Sequence, residues 1–490
     1  MASSDLDLVY DARTARFRAP VGRDDAPVSS GDPTVPADRP IATVKTVLAR
    51  VTAPPSKSAT QRALIAAALA QGRSRLRHPL LADDSRHLIA CLNAVGIEAR
   101  TSGPADAPGV EVDGRGGTIP AERAELFVGN AGTAMRFLTA MLSFGPGDYV
   151  IDGDERMRQR PIEDLLAALR ALGARAEATR GNGCPPVRVG GPRPRGGAAR
   201  LSGGTSSQFL SAILLAGPLA PQGVEVDIVG PLVSRSYVDL TIDLMRRFGV
   251  DVATEPDGRE PVRFIVPAGR PYQARDLAIE GDYSSASYFF AAAAVTSGCV
   301  RVDGLEPGSR QGDAAFVPLL QRMGCRVKGG DGWVEVEGAD TLQGIEADCR
   351  AMPDIVPTLA VVALFASGPT HITGVPHLKV KESDRIAAVA TEIRRMGGAV
   401  DQAPDGLTIR PMPLRGARIE TYSDHRMAMA FAVAGLRVPG VVIANPGCVS
   451  KSFPDFWSLF DRLATGAKRH RTADGETSKK KPRGGRLPRG

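Results

Sequence analysis

The residues best suited to chemistry are basic side chains that follow short loops of glycine, serine and other small residues. The clearest case is residues 129–136, Gly-Asn-Ala-Gly-Thr-Ala-Met-Arg, which lead into an apolar run. Glycine lets the backbone approach a ligand closely. A helix N-terminus offers free N–H groups and a positive dipole end to an anion, and Arg136 adds a full charge. The stretch therefore indicates an anion-binding loop, but small residues at a loop–helix junction are also typical of helix capping.

This arrangement of a small or polar loop before a nearly continuous apolar run occurs six times. The starts lie roughly 70–78 residues apart, a period typical of stacked supersecondary units. The six loops are residues 55–58, 129–136, 204–208, 281–285, 353–354 and 423–426. Apart from the run that follows residue 136, the apolar runs after them are residues 63–70, 209–216, 288–295, 358–365 and 427–434. We therefore expect six copies of one structural unit.

A second, amphipathic helix is predicted after each apolar one. Each ends at a glycine, the residue expected in the left-handed conformation just after a helix. These glycines are Gly96, Gly173, Gly249, Gly324, Gly397 and Gly466. Hairpin-like strands stand between the repeats, for example at residues 333–336 and 407–409. Because helices that are apolar all round must be buried, the sequence predicts an α/β (α+β) fold in which sheets cover internal helices.

The chain of 490 residues is long for a single core, so two domains are expected. The last repeat has no strands after it, whereas a predicted strand at residues 41–51 precedes the first. We expect this strand to complete the domain of the last repeat, so that domain 1 comprises residues 41–54 plus 281–466 and domain 2 comprises residues 55–280. Two short crossovers would then form a hinge beside an interdomain ligand cleft. Residues 1–40 and the basic tail 467–490 are predicted to be disordered.

Composition excludes several classes of protein. No apolar run approaches the roughly 18 residues needed to cross a bilayer, and no signal or transit pattern opens the chain, so we predict a cytoplasmic protein with no membrane contact. The six cysteines and six histidines show no paired or ligand-like spacing, which predicts neither disulfides nor a metal site. The net charge is +7 with 5% aromatic residues. The basic tail alone would support a nucleic-acid-binding protein, and we predict no nucleic-acid partner.

Seven short motifs, in the order found here, resemble those of the EPSP (5-enolpyruvylshikimate-3-phosphate) synthase family. They are Pro55-Ser56-Lys57-Ser58 with Arg62, residues 129–136, Arg160-Pro161-Ile162, Ser206-Ser207-Gln208, Lys381-Glu382-Ser383-Asp384-Arg385, residues 424–429 and Lys451-Ser452-Phe453-Pro454. The resemblance covers about residues 41–466. It implies two domains of three βαβαββ units each, an inside-out barrel architecture with the active site in the interdomain cleft.

The resemblance also implies a reaction. Members of this family transfer the enolpyruvyl group of phosphoenolpyruvate to the 5-hydroxyl of shikimate 3-phosphate and release phosphate, with no cofactor. The expected partners are therefore these two small molecules and the inhibitor glyphosate, and we expect a monomer. A sister family of the same architecture acts on a UDP-amino sugar with a reactive cysteine and an asparagine after its N-terminal lysine. Here Ser58 follows Lys57, and no cysteine stands in a comparable loop.

Two phosphates and two carboxylates need several cations, and the motifs supply eight near loop–helix junctions. Arginine suits such ligands because its planar fork binds them in a bidentate way, although any one arginine could equally form a surface salt bridge. By resemblance, shikimate 3-phosphate is held by Lys57, Ser58, Arg62, Ser206, Ser207, Gln208, Ser234, Asp354, His377 and Lys381. Phosphoenolpyruvate is held by Lys57, Gly132, Arg160, Gln208, Arg385, Arg426 and Lys451. Arg136 is interpreted as structural support, and the Ser206-Ser207 pair could simply cap a helix.

The expected chemistry is addition followed by elimination, which requires proton transfer at C3 of phosphoenolpyruvate and at the attacking hydroxyl. Glu382 resembles the family's group at C3, but could be an ion-pair partner on a helix surface. Asp354 resembles the acceptor at the 5-hydroxyl, but could be a helix N-cap. Lys57 is expected to take part in the proton transfer at the 5-hydroxyl. His425 is either a donor to the leaving phosphate or packed beside Asp424.

The chain departs from the family pattern at three places. Phe137 stands where many members have proline, and His377 where some have an asparagine that contacts shikimate 3-phosphate. Residues 234–237 read Ser-Arg-Ser-Tyr instead of the commoner Ser-Lys-Pro-Tyr.

Overall fold

The computed structural model describes residues 10–11, 16–17, 37–104, 107–257 and 260–464. Within these ranges the chain forms twelve α-helices. They are α1 (Lys57–Leu69), α2 (Asp83–Ala94), α3 (Gly132–Ser143), α4 (Glu163–Ala171), α5 (Ser207–Ala216), α6 (Arg235–Arg247), α7 (Tyr283–Val295), α8 (Phe316–Arg322), α9 (Val356–Ala363), α10 (Arg385–Arg395), α11 (His425–Gly435) and α12 (Phe456–Ala464). Short 3₁₀ turns lie at Met157–Gln159, Gly217–Leu219, Gly312–Ala315, Pro353–Ile355, Pro376–Val380 and Pro446–Lys451.

The strands are short and follow the helices in a regular alternation. In the first part of the chain they are β1 (Tyr10–Asp11), β2 (Arg16–Phe17), β3 (Asp38–Pro40), β4 (Leu48–Thr52), β5 (Gln71–Arg77), β6 (Ala99–Ser102), β7 (Gly109–Arg115), β8 (Arg123–Phe127), β9 (Asp148–Asp152), β10 (Arg175–Ala178), β11 (Val187–Gly190), β12 (Gly197–Ser202), β13 (Val224–Val229), β14 (Ala253–Asp257), β15 (Glu260–Val266) and β16 (Asp276–Ala278). The later strands are β17 (Cys299–Asp303), β18 (Arg326–Gly330), β19 (Trp333–Glu337), β20 (Glu346–Asp348), β21 (Thr370–Thr373), β22 (Ala399–Ala403), β23 (Gly406–Arg410), β24 (Arg418–Ile419) and β25 (Val442–Ala444).

One pairing pattern recurs in six sheets: a parallel pair of strands is extended by antiparallel ones. The orders are β16-β5-β7-β6, β10-β11-β9-β8, β12-β13-β15-β14, β18-β19-β17-β4, β20-β21-β23-β22 and β24-β25-β3. The parallel pairs include β8 with β9 and β12 with β13. The mixed α/β fold predicted from the sequence is thus confirmed.

The two kinds of helix expected from the sequence are both present. Every residue of α7 and of α11 is buried, as required for helices that are apolar on all sides. In α4, by contrast, burial is confined to four apolar positions on one face. The predicted terminal glycines Gly96, Gly173, Gly249, Gly324 and Gly397 all have φ between 83° and 104°, the left-handed region that glycine adopts without strain.

The buried apolar residues form two separate clusters. Core A is built from residues 41–53 and 283–463, and core B from residues 59–279. The chain passes between them twice, and the two passages run side by side. The amide of Ser56 donates to the carbonyl of Glu280 at 2.8 Å, and the amide of Asp282 donates to the carbonyl of Pro54 at 2.8 Å. The two covalent connections between the cores are therefore a pair of adjacent short segments.

The prediction of disorder up to residue 40 is wrong at its C-terminal end. Strand β3 pairs with β25 and supplies the edge of the sixth sheet. Arg39 holds it in place, since its guanidinium lies 2.6 Å from the Asp461 carboxylate and 4.6 Å from the ring centroid of Trp457. The strand predicted at residues 41–51 is displaced to β4, which pairs with β17 of core A.

The remaining predictions for the chain ends concern residues outside the described ranges. Gly466 and the basic tail 467–490 lie outside the described residues. Across the described ranges, no helix is both long and apolar enough to span a bilayer.

Candidate active site

A cleft lies between core A and core B, at the N-terminal ends of α1, α3, α5 and α11 and beside the segments that precede α9 and α10. Its free volume is about 550 Å³. The predicted site residues that line it are Lys57, Ser58, Arg62, Gly132, Arg160, Ser207, Gln208, Asp354, Lys381, Glu382, Arg385 and Arg426. These side chains come from both cores, so the fold brings together residues that are hundreds of positions apart.

Asp354 is the carboxylate around which the basic groups of core A gather. It accepts hydrogen bonds from Arg385 Nη1 at 2.9 Å, Arg426 Nη2 at 2.7 Å and the Tyr237 hydroxyl at 2.8 Å. Burial alone would raise the pKa of Asp354, but the guanidinium groups of Arg426 and Arg385 lower it below its usual range. Asp354 is therefore ionised and can accept a proton only if one of these partners is drawn away.

The alternative role of Asp354 as a helix N-cap does not fit the geometry. Its residue lies inside the 3₁₀ turn Pro353–Ile355, and the residue at the N-cap of α9 is Ile355, which makes no side-chain capping bond. The carboxylate points instead to the cleft.

The guanidinium of Arg385 donates hydrogen bonds to three carboxylates. Its Nε donates to Asp424 Oδ2 at 2.8 Å, and its Nη2 donates to Glu382 Oε2 at 2.9 Å, while Nη1 reaches Asp354. Asp424 also caps α11 by accepting from the amide of Arg426 at 3.0 Å. Burial opposes the charged form of Arg385. The carboxylates, of which Asp424 has the largest effect, nevertheless raise the pKa of Arg385 above its ordinary value. A fully buried guanidinium with three anionic partners is rigidly oriented.

Glu382 lies in the cleft, not on a helix surface. Its side chain is 10% exposed, and Oε1 lies 3.8 Å from Arg160 Nη1. Burial would raise the pKa of Glu382, but Arg160 and Arg385, with smaller effects from Lys451 and Lys57, lower it well below its ordinary value. The group is thus an ion-pair partner, as one interpretation of the sequence had it, but a buried one among the cleft cations.

Lys57 and Lys451 approach one acidic residue from opposite cores. The Nζ of Lys57, the first residue of α1, lies 3.2 Å from Asp84 Oδ2, and Lys451 Nζ donates to Asp84 Oδ1 at 2.5 Å. Lys451 Nζ also donates to the carbonyl of Asn130 at 2.7 Å. Asp84 is 3% exposed. The two ammonium groups are therefore held close together by a shared carboxylate.

Arg62 is buried against neutral acceptors. Its Nε donates to Thr241 Oγ1 at 2.7 Å, and its Nη groups donate to the carbonyls of Ser58 at 3.0 Å and Tyr237 at 3.1 Å. Burial lowers the pKa of Arg62 to about 10, so the group is still protonated at neutral pH. Because these bonds carry no negative charge, Arg62 can attract an anion in the cleft. Phe137, a departure from the family pattern, packs with its ring centroid 5.3 Å from this guanidinium.

Gly132 and Arg160 are in close contact. A Cβ added to Gly132 would lie 2.6 Å from Arg160 Nη2, which is closer than real side chains approach. Arg160 Nη1 donates to Asn130 Oδ1 at 2.9 Å, and its buried Nε has no hydrogen-bond partner. Only glycine at position 132 leaves this guanidinium where it is.

Residues 206–208 form the N-cap and the first two residues of α5. Ser206 is the N-cap and its hydroxyl accepts from the amide of Gln208 at 3.3 Å. Gln208 Nε2 donates to Thr133 Oγ1 at 3.3 Å. Ser206 does not line the main cleft but faces an adjoining cavity of about 280 Å³, which Arg136, Gln208 and Lys381 also line. Capping and ligand contact are compatible roles for this serine.

Lys381 lines both cavities. Burial, opposed by Asp354 and Glu382, lowers the pKa of Lys381 to about 8. Its charge is therefore sensitive to pH just above neutrality.

Three other predicted residues lie behind the cleft walls. Ser234, with φ of 53°, bonds through Oγ to His377 Nε2 at 3.0 Å. Burial lowers the pKa of His377 to about 3. His425 is wholly buried, its Nδ1 is 3.7 Å from Asp424 Oδ1, and neither ring nitrogen has a hydrogen-bond partner. Burial, together with Lys57 and Arg426, lowers the pKa of His425 well below its ordinary value, so the ring is neutral and packed beside Asp424.

The interpretation of Arg136 as structural support agrees with its contacts. Its Nη groups donate to the carbonyls of Gly132 at 3.3 Å and Pro161 at 3.0 Å. These bonds join the loop of residues 129–136 to the Arg160-Pro161 motif behind the cleft.

Three cleft residues were not identified from the sequence. Thr133 lies within the motif of residues 129–136, and Tyr237 lies within residues 234–237. Their position next to predicted site residues could have identified them. Asp84 lies in the first turn of α2, where an acidic residue is already favourable to the helix dipole, so no local signal pointed to the cleft. Among the described cysteines none lines the cleft, and no group of His, Cys, Asp and Glu in the described ranges is placed to hold a metal ion.

The fold and the cleft fit a class of enzyme in which two α/β cores present arginines, lysines and helix N-termini to small anionic substrates. Comparison with known proteins agrees with this class. Residues 41–460 match the family EPSP synthase (3-phosphoshikimate 1-carboxyvinyltransferase). The chain belongs to the EPSP synthase family.

Individual relatives are similar over nearly their whole length. The 3-phosphoshikimate 1-carboxyvinyltransferase of Trichormus variabilis is 47% identical over 415 residues, which cover 85% of this chain and 96% of that protein. The enzyme of the same name from Methanoculleus marisnigri is 48% identical over 407 residues, covering 83% and 94%. A solved structure of EPSP synthase from Acinetobacter baumannii has a TM-score of 0.72 and 30% identity, and covers 87% of this chain and 98% of that one.

Proposed function

We propose that this protein transfers the enolpyruvyl group of phosphoenolpyruvate to the 5-hydroxyl of shikimate 3-phosphate, giving 5-enolpyruvylshikimate 3-phosphate and phosphate. This is a step of the shikimate pathway that leads to chorismate and the aromatic amino acids. The observation that carries the proposal is the convergence of cations from both cores on one cleft that also holds two ionised carboxylates, Asp354 and Glu382.

The substrate subsites follow from how the cations are distributed. Arg62, Ser207 and Lys381 line the cleft, and Lys381 also lines the adjoining cavity with Ser206, a set of cations and hydroxyls that suits shikimate 3-phosphate. Lys57, Arg160 and Lys451 gather near the loop of residues 129–136, which suits the small phosphoenolpyruvate. The full proposed sets are those predicted from the sequence, with Tyr237 added to the residues near shikimate 3-phosphate.

The reaction requires two proton transfers. In the addition step the 5-hydroxyl oxygen bonds to C2 of phosphoenolpyruvate, its proton leaves, and C3 gains a proton. In the elimination step C3 loses a proton and the C2–O bond to phosphate breaks. We assign transfer at C3 to Glu382 and the hydroxyl proton to Asp354 with Lys57. Arg160, Arg385, Arg426 and Lys451 stabilise charge on the departing phosphate. A donor role for His425 has less support, since the ring lies behind the cleft wall.

The finer architecture is part of the same proposal. We assign the six repeats to an inside-out barrel arrangement with three in each of two domains, separated at the passages near residues 54–55 and 280–281. Support comes from the two separate cores and the recurring sheet order. We further propose a cytoplasmic monomer that glyphosate inhibits in competition with phosphoenolpyruvate.

A direct assay tests the function. Phosphate release from phosphoenolpyruvate is measured with and without shikimate 3-phosphate, and with a UDP-amino sugar as the alternative acceptor. Release that depends on shikimate 3-phosphate is expected. The assignment would be refuted if phosphate were released only with the UDP-amino sugar, or if no phosphate were released with either acceptor.

Substituting Gly132→Ala is expected to raise the KM for phosphoenolpyruvate about tenfold or more, the range seen when one methyl group is added to a tight pocket. The reason is that the new methyl group must displace the Arg160 guanidinium. Glyphosate, which should inhibit the unmodified protein strongly, should inhibit the variant less. Gly368→Ala is the control, because a Cβ there has no neighbour within 4 Å. Equal KM values and equal inhibition in all three proteins would show that Gly132 does not border this subsite.

The KM for shikimate 3-phosphate is expected to rise between about pH 7 and pH 9, because Lys381 loses its proton as pH rises through its pKa of about 8. A neutral amine no longer attracts the substrate phosphate. The rise should be smaller in Lys381→Arg, since a guanidinium stays protonated over this range. Steady-state kinetics at fixed ionic strength measures both profiles. A pH dependence that is the same in the two proteins would assign the titration to another group.

A further inference from the structure

One basic side chain crosses between the cores without lining the cleft. Arg156 belongs to core B, just before the 3₁₀ turn Met157–Gln159. Its Nε donates to the carbonyl of Glu382 at 3.0 Å, and its Nη2 donates to the carbonyl of Lys381 at 2.9 Å. Both carbonyls belong to the segment of core A that leads into α10. One guanidinium from core B thus holds two successive peptide groups of core A.

The donor is anchored to its own side. The amide of Met157 donates to Asp154 Oδ1 at 2.8 Å, and the amide of Arg158 donates to the carbonyl of Asp154 at 3.1 Å. Arg156 Nη1 also donates to Gln159 Oε1 at 3.3 Å. The loop that carries Arg156 is therefore shaped by bonds within core B.

The acceptor segment is anchored in the same way to core A. Ser383 Oγ donates to Asp424 Oδ2 at 3.0 Å, and Asp384 caps α10 by accepting from the amide of Ala387 at 3.0 Å. Residues 381 and 382, which come before these anchors, have their carbonyls bonded to Arg156. Core A holds the Glu382 side chain through Arg385, while the bonds to these two backbone carbonyls come from core B.

Fixing two successive carbonyls constrains the backbone of Glu382, which lies between them, and the carbonyl end of Lys381. A peptide group is planar, so the guanidinium sets the orientation of the backbone on both sides of Glu382. The side chains of Lys381 and Glu382 line the cleft. Arginine suits this task because its rigid fork donates in two directions at once.

We propose that Arg156 is a positioning residue that orients Lys381 and Glu382 only when the two cores are in contact, and so couples closure of the cleft to turnover. The inference rests on the proposed function, in which Lys381 binds shikimate 3-phosphate and Glu382 transfers a proton. When the cores separate, both bonds from Arg156 are broken together, and the backbone that carries Lys381 and Glu382 is no longer held from core B.

The test compares Arg156→Ala and Arg156→Lys with Arg158→Ala. Arg158 is a matched control two residues away, because it pairs with Asp152 of the same core at 2.6 and 3.0 Å. In Arg156→Ala we expect kcat to fall by about 10- to 100-fold, the loss that follows a small misplacement of catalytic groups. Arg156→Lys should recover part of it, Arg158→Ala should stay within about twofold of the unmodified protein, and millimolar guanidinium chloride should partly restore Arg156→Ala alone.

Small-angle scattering separates coupling from simple loss of structure. Saturating shikimate 3-phosphate should reduce the radius of gyration of the unmodified protein and of Arg158→Ala, and should reduce it less in Arg156→Ala. The thermal midpoints of the two alanine variants without substrate should be similar. A kcat in Arg156→Ala within twofold of the control, or compaction equal to it, overturns the proposal. If shikimate 3-phosphate compacts the unmodified protein but no turnover follows, the proposed function is refuted, and the scattering comparison still decides on Arg156.

Discussion

Glu382→Gln is expected to lower kcat by about 10²- to 10⁴-fold, the contribution usual for a positioned acid or base. Glutamine keeps the shape and can still accept from Arg385, whose Nη2 lies 2.9 Å from Oε2. It cannot exchange a proton with C3 of phosphoenolpyruvate. Because Glu382 makes its contacts with protein cations, the affinity for shikimate 3-phosphate should change far less than kcat.

Isotope exchange gives this prediction a second readout. In deuterated buffer with shikimate 3-phosphate present, the reversible addition step should place deuterium at C3 of phosphoenolpyruvate. Glu382→Gln should suppress this exchange together with turnover. Glu392→Gln is the control, since Glu392 is also buried on α10 but bonds to Tyr422 and to the amide of Glu420, outside the cleft. If the turnover of Glu382→Gln and its deuterium exchange at C3 are both nearly normal, another group transfers the proton at C3.

Asp354→Asn is expected to reduce kcat by a comparable factor of about 10²- to 10⁴-fold. The asparagine oxygen can still accept from the Tyr237 hydroxyl, but the side chain has no negative charge with which to draw the proton from the 5-hydroxyl. The change also removes the carboxylate 2.7 Å from Arg426 Nη2. Removing one member of a buried ion pair costs about 3–5 kcal/mol, so the variant should also unfold at a lower temperature.

The stability effect and the catalytic effect can be told apart. Arg385 keeps Glu382 and Asp424 as partners, so the uncompensated charge is mainly that of Arg426, which an anionic substrate can neutralise. Phosphoenolpyruvate together with shikimate 3-phosphate should therefore raise the thermal midpoint of Asp354→Asn more than that of the unmodified protein. Asp348→Asn, at an exposed position of β20 paired with Arg350, is the control. Turnover near normal in Asp354→Asn, measured well below its thermal midpoint, would remove Asp354 from the proton path.

Local features were predictable from the sequence because each depends on neighbours in the chain. The apolar runs predicted α7 and α11 as buried helices, and the terminal glycines marked where the second helices end. The motifs around Lys57, Gly132 and Arg385 identified the family and therefore the reaction. Each of these signals is contained within about one helical length, where periodicity and capping rules apply.

Contacts between distant segments were decided only by the tertiary structure. The sequence left Asp354 between a proton acceptor and a helix cap, and packing excluded the cap by placing the carboxylate beside Arg385, Arg426 and Tyr237. Asp84 received Lys451 from 367 positions away, a pairing that no spacing rule encodes. The physical reason is that the partner of such a side chain depends on how the two cores pack against each other. The free energy of that packing is spread over many residues of both cores.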